Sequence, residues 1–408
     1  MSDERNRVAI LGGGPVGLEA ALAMAETGRP FRLYEVGESV GENVRAWGHV
    51  RLFSPWKMNV SPRAARHLPE STLPGEEELD RCPTGAELVE RVLEPLAAHP
   101  KVSAGIRTGV RVEAVGRDVL LKHEEIGTGA RSGSPFRLLL SDGEGREWVE
   151  RAGVVLDCSG TYHNPNFTGD GGIPAPGEDR WKQRIHRRIP DPVRDAEEWE
   201  GRTVLLVGGG HSAQTAARDL AASARNGADV QVIWALRRAD ASWRPDPYDP
   251  LTLRSALLRE AREIVQGGAP GVEVRKGVVV ERIRGGGRPG PDGPGLKVEL
   301  RTRAGSTSEV EVDRILSLTG SVGDHHLYRQ LQVHECYATQ GPMKLAAALL
   351  GSSSEDCLDE TGHGPETLAN PEPGFFILGE KSYGRNNTFL MRVGWTQVEE
   401  VLTLLDEI

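Results

Sequence analysis

Between Arg7 and Glu35 the chain reads RVAILGGGPVGLEAALAMAETGRPFRLYE, and this stretch restricts the possible folds more than any other. The apolar run Val8-Ala9-Ile10-Leu11 suits a strand buried on both faces. Gly12, Gly14 and Gly17 follow at G-x-G-x-x-G spacing, with Pro15 and Val16 between the last two. A helix-length segment with Leu18, Leu22 and Ala25 at helical spacing then runs to Gly28, and a second short run, Phe31 to Tyr34, ends at Glu35. Each glycine has a physical task. Gly12 allows the tight strand-to-helix turn, Gly14 keeps side-chain atoms away from a pyrophosphate, and Gly17 lets the helix pack close to the strand. The helix N-terminus presents free N–H groups and a positive dipole end to phosphates. Glu35, at the tip of the second strand, is placed to hydrogen-bond ribose hydroxyls. The glycines alone would also fit a turn that binds nothing. The full order of strand, helix, strand and acid favours a dinucleotide site.

The 408 residues are enough for two or three domains with their own cores. The formal net charge of −10 argues against nucleic acid and anionic membrane surfaces as partners. Met1 to Arg7 is polar and charged, so no secretory leader is expected, and no apolar stretch approaches membrane-spanning length. Cys82, Cys158, Cys336 and Cys357 form no C-x-x-C pair, which predicts free thiols and a cytoplasmic setting.

After Glu35 comes VGESVGENVRAWGHVRLFSPW, ending at Trp56. In a dinucleotide domain this segment would run along the bound group. There Arg45 or Arg51 would meet phosphate, and Trp47 or Phe53 would cover an aromatic ring. The alternative is that these aromatics fill a core beneath an irregular loop. A helix is predicted from Thr84 to Ala98, where Thr84 and Glu87 make a capping-box pattern. Over residues 101–150, short runs at Val102, Val110–Val112, Leu138–Leu140 and Trp148–Val149 predict an antiparallel meander. Val154-Val155-Leu156 then leads into Asp157-Cys158-Ser159-Gly160, a strand ending in a turn of small residues.

The plan repeats after a Pro- and Gly-rich stretch. Thr203–Val207 reads as a strand, Gly208, Gly210 and Ala213 give G-x-G-x-x-A with His211 and Ser212 inside it, and a helix is expected from Ser212 to about Ala224. The next strand, Asp229 to Leu236, ends at Arg237-Arg238. Short strands over 272–312 and the turn Leu318-Thr319-Gly320 complete the second copy, with a flexible hairpin tip expected at Gly285–Gly295. Two fingerprints in one spatial order weigh more than either alone. Phe375–Leu378 reads as another buried strand ending at Gly379-Glu380, and a closing helix is expected from about Thr388 to Leu405. Gly394 interrupts that helix, a placement that often marks close approach of something flat. The resulting fold class is α/β, with two Rossmann-like domains, each carrying an inserted β-meander. The boundaries are 1–165 and 323–408 for the first domain, 200–322 for the second, and 166–199 for a connector.

The order of GGGPVG, Glu35, DCSG, GGGHSA, LSLTG and ILGE resembles the flavoproteins built from two dinucleotide-binding domains, which include thioredoxin reductases and the flavin-containing and Baeyer–Villiger monooxygenases. The resemblance implies FAD in the first domain. Gly12, Gly14 and Gly17 would face its pyrophosphate, Glu35 its ribose, Ser159-Gly160 would lie beneath it, and Gly379-Glu380 would touch its ribityl chain. It implies NADPH in the second, with Gly208, Gly210 and Ser212 at the pyrophosphate. Arg237 and Arg238 stand where NAD-specific domains place an acid, and guanidinium groups pair well with a 2′-phosphate.

Two departures from the family bear on activity. Between Gly160 and Gly208 there is no cysteine, so a thioredoxin-reductase-like dithiol is not expected there. The monooxygenase sequence F-x-G-x-x-x-H is begun by Phe167-Thr168-Gly169, but Ile173 replaces its histidine, and His186 follows later. The expected function is an FAD-dependent, NADPH-oxidising oxidoreductase, first a monooxygenase acting on a small organic substrate through a flavin hydroperoxide. The alternatives are a reductase passing electrons to a protein, quinone or small acceptor, and a non-enzymatic redox sensor. No catalytic side chain stands out. His325, His326 and His334 read as polar loop residues rather than metal ligands. Tyr383, Arg385, Asn386 and Asn387 are further contact candidates.

Overall fold

The structure is a computed structural model that describes residues 6–240, 243, 249–291, 293–351 and 362–406. The chain divides into two compact units, one made of residues 1–164 with 322–408 and the other of 165–321.

In the first unit a five-stranded parallel sheet has the order Phe375–Ile377, Val154–Asp157, Val8–Leu11, Phe31–Tyr34, Ile106–Arg107. Its central strand Val8–Leu11 is apolar and buried at every position, and the strands beside it are largely apolar, because both faces are covered. Val8, Ile10, Leu33 and Leu156 point into a core shared with the helix Pro15–Glu26. Ala9, Leu11, Val155 and Phe375 point the other way, into a core shared with Phe136, Leu138 and Leu140 of the meander. That alternation is the period of two of a strand, with each side sealed by a different layer. The meander is a three-stranded antiparallel sheet of Val110–Arg117, Phe136–Asp142 and Glu147–Ala152. Glu372 ties it down: its buried carboxylate takes Arg117 Nε at 2.6 Å and Arg131 Nη2 at 2.9 Å.

The second unit repeats the design. Its five-stranded parallel sheet runs Val272–Lys276, Val230–Leu236, Arg202–Val207, Arg314–Ser317, Ile185–His186. Val204, Leu206, Val232 and Trp234 pack against the helix His211–Arg225, while Leu205, Ala235 and Ile315 pack against the meander. That meander comprises Val278–Gly290, Gly293–Thr302 and Thr307–Val312.

Several local expectations need correction. Val102 is not in a strand but in the short helix Pro100–Ser103, where Pro100 opens the helix and His99 Nδ1 accepts from Lys101 N. The segment Thr84–Ala98 is helical and its capping box forms, but Val89–Leu93 is a π-turn between two α-helical pieces. Pro95 explains it: a proline has no N–H for the usual bond and crowds the preceding turn. The hairpin tip is paired up to Gly290 and Gly293, through register shifts after Gly285 and Gly287. The closing helix begins later, at Met391. Residues 166–199 lie within the second unit, where Ile185–His186 is an edge strand and His186 meets the Trp199 ring edge-on at 5.2 Å.

Candidate functional site

The first fingerprint folds as a turn that tolerates no side chains. Gly12 has φ +101°, and a Cβ there would lie 2.7 Å from the Cys158 carbonyl oxygen. A Cβ on Gly17 would overlap the carbonyl oxygen of Gly12, so the helix sits directly on the strand end. Gly14 is the N-cap of Pro15–Glu26 and faces open space. No side chain caps this helix and its first turn holds no acidic residue. Pro15 at the first helical position needs no N–H partner. The end of the helix is therefore left to an anion.

Glu35 is 7% exposed and is fixed by the turn itself. Its Oε2 accepts from Gly13 N at 2.6 Å and its Oε1 from Gly37 N at 2.8 Å. The ends of two adjacent strands thus hold one carboxylate beside the helix N-terminus.

In front of this turn lies a cavity of about 430 Å³. It brings together Gly12, Gly14, Pro15, Val16, Glu35, Trp47, Ser159, Gly160, Gly379 and Glu380, residues scattered across the sequence. Gly17 is not in its wall; it acts through packing. Arg45 is not in the wall either: Nη2 pairs with Glu94 at 2.6 Å and Nε donates to Ser39 Oγ at 3.1 Å. Arg51 donates to the Cys82 carbonyl, and Phe53 lies outside the lining. The Trp47 ring packs on Gly85, where a Cβ would lie 2.6 Å from it, and its Nε1 is buried without a hydrogen-bond partner.

The turn after Phe375–Ile377 supplies the opposite wall. Gly379 N donates to Gln397 Oε1 at 2.8 Å, which fastens the turn to the closing helix. Burial pushes the Glu380 carboxyl up, and a hydrogen bond with Thr161 opposes that shift. Glu380 is one of the residues lining the cavity. Gly394 is approached closely, as its position suggested, but by protein: a Cβ there would lie 2.5 Å from Val16 Cγ2 and 3.1 Å from the Phe389 ring.

Sequence reasoning missed Lys381 and gave Asp157 no role. Lys381 Nζ lies 2.7 Å from Asp157 Oδ2 and 3.2 Å from Ser159 Oγ, and both charged side chains are buried. The available signal was an aspartate ending an apolar strand and a lysine just after Gly379-Glu380. A charge in such a place needs a partner. Cys158 also lines the cavity, with its thiol pushed far up by burial and the nearby Asp157 charge. His325 pairs with Glu335 at 2.7 Å. Tyr383 is buried against Phe389. Cys357 lies outside the described residues.

The second fingerprint has the same skeleton. Gly208 has φ +136°, and a Cβ there would overlap the Leu318 carbonyl oxygen. Gly210 caps His211–Arg225 with no side-chain bond, no acid in the first turn and open space before it. Ala213 is fully buried, and Ser212 follows His211 in the first turn. Desolvation, helped by the Arg254 charge and opposed by that of Asp249, holds the His211 imidazole below its ordinary value. Arg237 and Arg238 follow the strand Val230–Leu236 and are exposed. In both units the open helix ends and bare glycines fit a nucleotide pyrophosphate.

No protein-family model and no curated protein matches the chain. Solved structures do match it along nearly its whole length. Bacillithiol disulfide reductase from Bacillus cereus is 18% identical, with a TM-score of 0.69 over 98% of this chain and 99% of that one. The ornithine N-hydroxylase of Kutzneria sp. 744 is 16% identical, with a TM-score of 0.63 over 98% of each chain. The cadaverine monooxygenase DfoA of Erwinia amylovora, solved with FAD, is 12% identical, with a TM-score of 0.65 over 99% of this chain and 95% of that one. The chain has the fold of the flavoproteins built from two dinucleotide-binding domains.

Proposed function

We propose that the protein is an FAD-dependent, NADPH-oxidising oxidoreductase and, more narrowly, a monooxygenase acting on a small organic substrate. FAD occupies the cavity of the first unit. Its pyrophosphate meets the N-terminus of Pro15–Glu26, its ribose hydroxyls donate to Glu35, and Trp47 lines the wall beside it. NADPH occupies the second unit, with its pyrophosphate at the N-terminus of His211–Arg225 and its 2′-phosphate at Arg237 and Arg238. The chemistry that this pair of cofactors supplies is hydride transfer to the flavin, then reaction of the reduced flavin with oxygen or another acceptor.

The observation that carries the narrower reading concerns thiols. Among the described residues Cys158 is the one cysteine in the cavity wall, and its buried thiol is held protonated. Disulfide exchange needs a thiolate and a second sulfur to resolve the mixed disulfide. Among the described residues this wall offers neither. Leu52, Leu88, Leu390 and Met391 give it apolar surface, which suits an oxygen-transfer site. The second reading is a reductase without its own dithiol, favoured by the fold likeness to the bacillithiol disulfide reductase.

The deciding experiment supplies FAD, NADPH and ¹⁸O₂ with panels of amines, thioethers and ketones. A monooxygenase consumes oxygen and places one labelled atom in a product. NADPH oxidation that runs equally well without oxygen, on a dye, quinone or low-molecular-weight disulfide, supports the reductase. A purified protein that is colourless and takes up no flavin defeats both readings.

A further inference from the structure

The charges beneath Ser159 are arranged more closely than holding the fold requires. Asp157 Oδ1 accepts from Ser159 N at 3.1 Å and from Ser159 Oγ at 2.6 Å. An oxygen–oxygen distance that short, to a carboxylate, places the hydroxyl proton between them. Lys381 Nζ donates to Asp157 Oδ2 and to the same Ser159 Oγ. It also lies 5.1 Å from the centre of the Tyr328 ring, whose face receives the remaining charge. The Lys381 and Asp157 side chains are 1% and 0% exposed. The fold makes room for this lysine: a Cβ on Gly323 would overlap the aliphatic stem of Lys381.

A serine hydroxyl has one proton and two lone pairs. Here the proton is committed to Asp157 and one lone pair to Lys381, so Ser159 has one lone pair left and nothing to donate. Ser159 lines the cavity. A buried ion pair gives no general advantage over apolar residues of similar volume, so stability alone does not account for it.

We propose that the Asp157–Lys381 pair is a positioning device that fixes Ser159 as a hydrogen-bond acceptor in the cavity wall. The ligand group seated there is accordingly a donor: a ribityl hydroxyl or the ring N–H of a flavin nucleotide. This inference rests on the assignment of FAD to the first unit.

The test is the affinity of the apoprotein for FAD, followed by quenching of flavin fluorescence. Ser159→Ala is expected to bind about tenfold more weakly, the usual worth of one hydrogen bond. Asp157→Leu with Lys381→Met replaces the pair by apolar groups and keeps the fold testable if either single change fails to fold. It should weaken FAD binding several-fold. In the Ser159→Ala background the same pair of changes should add nothing, because the pair acts through the hydroxyl. One FAD analogue lacking a single donor, ribityl-deoxy or N3-methyl, should bind the wild type about tenfold more weakly and bind Ser159→Ala as FAD does. Losses that multiply in the triple variant, an unchanged Ser159→Ala, or analogues that all bind both proteins alike would overturn the proposal. Those results leave the FAD assignment standing. Wild-type apoprotein that takes up no FAD defeats the assignment instead.

Discussion

The two units solve one problem, a strand turning sharply into a helix with its N-terminus left open, and surround the solution differently. In the first, the turn faces a cavity and the acid at the next strand end is 7% exposed, held by two backbone N–H groups. In the second, the equivalent strand end carries two exposed arginines. The first lines a cavity with groups fixed by the fold; the second offers exposed charges at the surface. On the proposed reading, that is the difference between a cofactor that stays and one that comes and goes.

The packing of the two helices offers the strongest test of this contrast. At the last position of the fingerprint the first unit has Gly17 and the second Ala213. Gly17→Ala drives a methyl into the Gly12 carbonyl, and we expect a loss of about 3 kcal/mol in stability, along with FAD binding. Ala213→Gly loses a small buried methyl and some helix propensity, about 1 kcal/mol. Urea unfolding of both variants, followed by tryptophan fluorescence, decides the matter. Equal losses would mean that the helices approach their strands equally closely and that the contrast is false.

Smaller effects belong to the ligand ends. Glu35→Ala removes a carboxylate that accepts from Gly13 and Gly37 and, as proposed, from ribose hydroxyls; FAD affinity should fall about a hundredfold. Arg237→Ala should weaken NADPH about tenfold while leaving NADH nearly untouched. Titrations of each variant with both nucleotides measure this. A comparable loss for NADH would remove Arg237 from the phosphate.

Much of this was legible in the sequence because glycines and apolar runs are local signals. Gly12, Gly14, Gly208 and Gly210 state the turn wherever they occur, and a strand with both faces covered reads as a near-continuous apolar run. The two meanders were legible as short apolar runs set apart by Gly, Ser and Asp, and Glu35 stood out by its place after the second strand, although its bonds to Gly13 N and Gly37 N did not. What could not be read was pairing across the chain. Arg45 suits a phosphate by its place in the sequence, but the fold sets Glu94, 49 residues away, beside it. Lys381 looked like one residue of a polar turn because Asp157, its partner, lies 224 residues earlier. Val102 resembles the apolar strand runs that follow it, while a proline and a histidine cap just before it set a helix. Charge partners are fixed by the fold, so a charge in a buried element announces only that a partner exists.

The smallest expected effect comes from the far ends of the same two helices. His211–Arg225 ends in a cation, which suits the negative end of a helix dipole, and Arg225 Nε donates to the Ala221 carbonyl. Pro15–Glu26 ends in Glu26, the wrong sign for that place. Burial pushes the Glu26 carboxyl up, but hydrogen bonds from Arg63, His67 and Arg66 outweigh it and hold the group down at about 2, against an ordinary 4.5. A carboxyl whose folded value is depressed contributes stability above its unfolded value and loses it as pH falls through the folded one. The Glu26 contribution should therefore be whole above about pH 4.5 and gone near pH 2. Glu26→Gln should melt below the wild type at pH 7, with the gap closing between those limits, whereas the small cost of Arg225→Gln should stay constant over the same range. A Glu26→Gln gap that persists at pH 2 would mean that shape and not charge anchors the first helix, and the two helix ends would differ less than their residues suggest.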